Sequence, residues 1–98
     1  MAEQAFIYET DCDATWTTKS TSVPAARDES HEATCHGLLV KVTRSGYGSV
    51  MTQVRGAFAG RNVYVYSVPS ALLGDAELRA DAIAFAADLR SRGMEPIR

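Results

Sequence analysis

Between residues 37 and 44 apolar and polar side chains alternate in steps of two. Leu38, Val40 and Val42 share one side, and Leu39, Lys41 and Thr43 the other. A period of two belongs to a strand with one buried face. Residues 49–58 repeat the pattern, with Val50, Thr52 and Val54 set against Met51, Gln53 and Arg55. Residues 63–68 do so again, with Val63 and Val65 against Tyr64 and Tyr66. Arg44-Ser45-Gly46-Tyr47-Gly48 and Ala59-Gly60-Arg61-Asn62 separate these runs and read as turns, in which glycine is free to take positive φ. Strands joined by short turns predict a meander.

The N-terminal third is less regular. Residues 5–10 set Phe6 and Tyr8 against Ala5 and Ile7 and predict a strand. Asp11-Cys12-Asp13 reads as a turn. Residues 14–21, rich in threonine around Trp16, predict a second strand, because β-branched and aromatic side chains suit a pleated surface. Residues 22–34 are polar and leave two alternatives. Ser22 and Pro24 can open a short helix, or the stretch is a loop of about thirteen residues, long for a compact domain.

Past Pro69 the period changes. Leu78, Ala82, Phe85 and Leu89 recur at helical spacing, with Ile83 and Ala86 widening the stripe, so residues 75–92 predict an amphipathic helix. Asp75 is placed to cap its start and Arg90 and Arg92 to meet the negative end of its dipole. Gly93 can take the left-handed conformation that ends a helix, and Pro96 bars its continuation. Residues 70–74 read as a lead-in turn.

A helix with one apolar stripe must bury it, and a sheet face is the available surface. The face carrying Leu38, Val40, Val42, Val50, Val54, Val63 and Val65 is the better core. The expected fold is α+β: an antiparallel sheet of about five strands, the last three a meander, with one C-terminal amphipathic helix packed on one face. The opposite face, with Lys41, Thr43, Met51, Gln53, Arg55, Tyr64 and Tyr66, is then left open.

Composition narrows this further. The 98 residues suit one domain, and 46% hydrophobic with 22% charged residues is ordinary for a globular chain. A net charge of -2 excludes a strongly basic domain that gathers nucleic acid by its overall field, and is too small for a nucleic-acid mimic. Met1-Ala2-Glu3-Gln4 has neither the basic start nor the apolar run of a leader, and no segment reaches the length of a membrane span. The expected location is cytoplasmic, where Cys12 and Cys35 would be free or metal-bound.

Candidate chemistry is sparse. His31, Cys35 and His36, with Cys12 upstream, are zinc-ligand types, yet no Cys-x-x-Cys knuckle is present, so the expectation is no cofactor. Cys12 with His31 or His36 lacks the flanking sequence of an activated nucleophile. Gly46 and Gly48 lie in a hairpin turn, not between strand and helix, and make no phosphate loop. The open face remains. Lys41, Met51, Gln53, Arg55, Tyr64 and Tyr66, with Tyr47 and Arg61 in the turns, combine the aromatic and arginine side chains that dominate protein contacts. The expectation is a small non-enzymatic protein-binding module of the inhibitor or immunity type, such as phages and mobile elements encode. The alternatives are a nucleic-acid-binding module, with bases on the tyrosines and phosphates on Lys41, Arg44, Arg55 and Arg61, or a small zinc-binding protein using Cys12, His31, Cys35 and His36. A homodimer fits all of these readings, through an edge strand or face to face over Tyr64 and Tyr66, and would hide the open face.

Overall fold

The computed structural model describes residues 16–20 and 28–97. They form an antiparallel sheet in the order β1 (Thr17–Ser20), β2 (Glu29–Cys35), β3 (Leu38–Arg44), β4 (Val50–Phe58) and β5 (Arg61–Ser67), followed by helix α1 (Asp75–Ser91). The class is the expected α+β, and the meander runs through all five strands.

β2 differs from the expectation. It occupies the second half of the stretch read as loop or short helix. His31, Ala33 and Cys35 face inward and are buried, while Glu32 and Thr34 face the other way. The alternation is there, but a histidine and an alanine make a weak apolar signal. The expected strand at residues 5–10, the turn at 11–13 and the helix start at Ser22 and Pro24 lie outside the described residues. The second expected strand is seen as β1.

The hairpin turns follow from backbone chemistry. His36-Gly37 and Ala59-Gly60 are two-residue connections with positive φ throughout (+56°, +79° and +49°, +79°). This is the geometry that matches the twist of paired strands. The second turn is shorter than expected, because Arg61 and Asn62 already pair with Phe58 and Ala57. The β3–β4 connection closes with Ser45 N–H donating to Ser49 O at 2.8 Å.

The core lies between the sheet and α1. Leu38, Val40, Val42, Val50 and Val54 meet Leu78, Ala82, Ala86 and Leu89. Burial of one such Leu or Val side chain contributes about 1.5–3 kcal/mol. Phe85 and Ile83 flank the stripe half-buried, and Ala86 takes the central place expected for Phe85. The helix packs chiefly against β2 and β3. Val63 and Val65 on β5 therefore stay half-buried. Gly74, not Asp75, is the N-cap, and its N–H donates to Glu77 Oε1 at 3.0 Å. Gly93 has φ +105° and turns the chain back, as expected. Met94 is then fully buried, and Glu95 exchanges two backbone hydrogen bonds with Ala57 at 2.7 and 2.8 Å.

Cys35 corrects the expectation of a free or metal-bound thiol: it is disulfide-bonded and 1% exposed. The chain has two cysteines, and Cys12 lies outside the described residues. Among the described residues no helix is long and apolar enough to cross a membrane.

Candidate functional site

The register across the sheet decides which side chains of the face away from α1 become neighbours. Thr17, Glu32, Lys41, Gln53 and Tyr66 are successive cross-strand partners from β1 to β5. The next row runs Thr34, Leu39, Arg55 and Tyr64. Thr43 and Met51 pair on the other side of the first row. No bulge interrupts these ladders, so the alternation read from the sequence carries across β3, β4 and β5.

This face is unusually apolar for one turned to solvent. Leu39 is 42% exposed, Met51 45%, Tyr64 49% and Tyr66 53%. The two tyrosine rings lie 6.4 Å apart and tilted by 35°. The Arg55 guanidinium carbon sits 5.2 Å from the centre of the Tyr64 ring. A cation over an exposed aromatic ring is worth about 0.5–1 kcal/mol, so Tyr64 biases where Arg55 points. Arg55 Nε is buried without a hydrogen-bond acceptor. Lys41 is exposed, and neither it nor Arg55 forms an ion pair with a described residue. Between the rows runs an open groove of about 410 Å³, walled by Thr17, Glu32, Thr34, Leu39, Lys41, Gln53 and Arg55.

Of the residues singled out from sequence, Lys41, Met51, Gln53, Arg55, Tyr64 and Tyr66 do share this face. Tyr47 is 80% exposed at the tip of the β3–β4 turn, beyond the Thr43–Met51 pair. Arg61 is exposed but shares the side of Val63 and Val65, away from the tyrosines. Arg44 also leaves the set. Its guanidinium donates to Leu73 O at 2.8 Å and Ala71 O at 3.2 Å and lies 3.5 Å from Asp75 Oδ1, holding the approach to α1. Leu39 was legible from its alternation with Lys41. Glu32 and Thr34 were not, because β2 was not recognised.

Of the zinc candidates, Cys12 lies outside the described residues, and His31, Cys35 and His36 do not form a ligand cluster. Cys35 is committed to its disulfide, and His36 sits in the β2–β3 turn. Buried His31 uses both ring nitrogens: Nδ1 lies 2.9 Å from Thr18 Oγ1 and Nε2 3.2 Å from Glu29 Oε1. Glu29, His31 and Asp75 bring one ligand atom each within 4.8 Å of one another. The Arg44 guanidinium beside Asp75 and the positive end of the helix dipole both oppose a cation there. The contact that ties the sheet to the start of α1 here is Arg44 with Asp75.

Compared with protein-family models, with curated proteins and with solved structures, the chain matches none.

Proposed function

We propose that the chain is a non-enzymatic binding module that docks on a larger protein through the open face of its sheet. An inhibitor or immunity-type protein of the kind carried by phages works in this way. The observation that carries the reading is the grouping of Leu39, Met51, Tyr64 and Tyr66, all exposed, around Lys41 and Arg55. An antiparallel sheet with one solvated face is normally polar on that face. Tyrosine, methionine and arginine are the types enriched where proteins meet. Lys41 and Arg55 fit an acidic surface on the partner, while Thr34 and Gln53 supply hydrogen-bonding groups beside them. The acidic residues Asp75, Glu77, Asp81 and Asp88 belong to α1, on the far side of the sheet.

The nucleic-acid alternative draws on fewer cations than its sequence reading assumed, since Arg44 and Arg61 lie off the face. Steep salt dependence of binding to an oligonucleotide would support it, and no binding at low salt would end it. For a cytosolic location, the Cys35 disulfide must persist in a reducing milieu; the near-complete burial of Cys35 hinders attack on its sulfur.

The test is capture of a partner from lysate of the source cells by wild-type protein, by the double variant Tyr64→Ala/Arg55→Glu and by Asp81→Ala on α1. The reading expects the double variant to lose the captured protein and Asp81→Ala to keep it. The melting temperature of the double variant should fall by no more than about 8 °C, the scale of a change of about 1 kcal/mol in a domain of this size. Unchanged capture, or a much larger loss of stability, would overturn it.

A further inference from the structure

β5 is an outer strand of the described sheet, and among the described residues no strand pairs with its outer side at residues 63–67. An outer strand presents a row of backbone N–H and C=O groups to whatever meets it. Proteins usually blunt such edges with short strands, lysines or a covering element. The two edges of this sheet differ in that respect. β1 has four residues, one of them Lys19. β5 has seven, and no charged residue occurs from Asn62 to Leu73. Both faces of β5 are apolar. Tyr64 and Tyr66 stand on one, and on the other α1 lies over β2 and β3, so Val63 and Val65 are incompletely covered. Val68 and Leu72 follow at 78% and 96% exposure.

We propose that β5 pairs antiparallel with β5 of a second copy, forming a two-fold symmetric dimer. The occupant is a second copy because the strand is self-complementary under that symmetry. A two-fold axis perpendicular to the sheet keeps each side chain on its own face, so open-face residues meet only open-face residues. With the axis at Val65, Val65 meets its own counterpart. Tyr64 of each copy meets Tyr66 of the other, and Val63 meets Ser67. Aromatic and β-branched cross-strand pairs are those that stabilise antiparallel strands. With the axis at Tyr64 instead, one tyrosine pair replaces two and Tyr66 faces Asn62. The single charge on β5, Arg61, stands at the strand end, so the two copies of it lie at opposite ends of the pairing. Pro69, which has no N–H to donate, follows β5 where the pairing runs out.

The two sheets then join edge to edge, with both tyrosine–arginine faces on the same side. Edge pairing leaves the open face uncovered and extends it, contrary to the expectation that it would hide that face. The dimer does not depend on the proposed partner binding, and its test contains no partner.

The experiment is sedimentation analysis from about 1 μM to about 1 mM, the range in which a small interface associates. The expected mass rises from 10.6 kDa toward twice that value as concentration increases. Val65→Lys and Val65→Glu should each stay at the monomer mass, and an equimolar mixture of the two should recover the dimer. Wild-type protein that remains a monomer throughout overturns the proposal, as does a dimer that both substitutions leave intact. Isotope-filtered NOEs on a mixture of labelled and unlabelled native protein decide even if the variants do not fold. Contacts from Val65 to its counterpart support the proposal, and contacts only from Leu39 and Met51 overturn it.

Discussion

Arg55 and Gly56 are neighbours on β4 whose substitutions should have opposite consequences. Arg55 points to the open face, where its guanidinium touches Tyr64. Gly56 points into the core, where the C-terminal tail is seated. A Cβ at position 56 would lie 2.8 Å from Glu95 O, 2.8 Å from Leu38 Cδ2 and 2.9 Å from Met94 Cγ. Favourable carbon contacts lie at about 3.5–4.0 Å. Leu38 and Met94 are fully buried, and Glu95 is held to Ala57 by backbone hydrogen bonds, so none can retreat without disturbing others. Overpacking of this kind costs about 1–3 kcal/mol. Gly56 does not have positive φ, so alanine also restricts the unfolded chain and recovers about 0.4–1 kcal/mol. The steric term wins, and Gly56→Ala should destabilise the protein by about 1–2 kcal/mol, or about 5–15 °C in melting temperature for a domain of this size. Arg55→Glu removes a cation–π contact and should cost no more than about 1 kcal/mol. Urea unfolding followed by Trp16 fluorescence measures both, since this sole tryptophan packs against the core. The Ala57 amide signal, whose N–H donates to Glu95 O, reports the tail directly. A neutral or stabilising Gly56→Ala would mean the tail does not sit on β4. An Arg55→Glu loss as large as that of Gly56→Ala would mean the tyrosine face is buried.

Thr52 is fully buried on the core face with no partner for Oγ1, so Thr52→Val should raise stability by about 1 kcal/mol, seen as a higher urea midpoint with unchanged slope. Ala59 is exposed at φ +49°, a conformation that costs an alanine about 1–2 kcal/mol; Ala59→Asn should recover about 0.5–1 kcal/mol of this in a calorimetric melt, because Asn-Gly suits the turn. Native protein should resist alkylation at Cys35, and reduction should lower its stability by about 2–4 kcal/mol, checked by labelling mass spectrometry beside urea melts with and without reductant.

The sequence by itself determined β3, β4, β5 and α1, because periods of two and 3.6 are set by which side of an element is buried. Its alternation also grouped Lys41, Met51, Gln53, Arg55, Tyr64 and Tyr66 on one face, a grouping that holds only if no bulge intervenes, and the observed registers have none. What it did not reveal depends on neighbours remote in the chain. β2 reads as polar until β3 and α1 close over His31, Ala33 and Cys35. Arg44 reads as a free cation until the lead-in to α1 brings its carbonyls to the guanidinium, and Asp75 reads as a cap until Gly74 takes that role. Only the tertiary structure decided that α1 lies over β2 and β3 and leaves Val63 and Val65 on β5 half-buried. A helix stripe specifies that it must be buried, not where along the sheet, and the packing of Leu78, Ala82, Ala86 and Leu89 against the β3 side settles that choice.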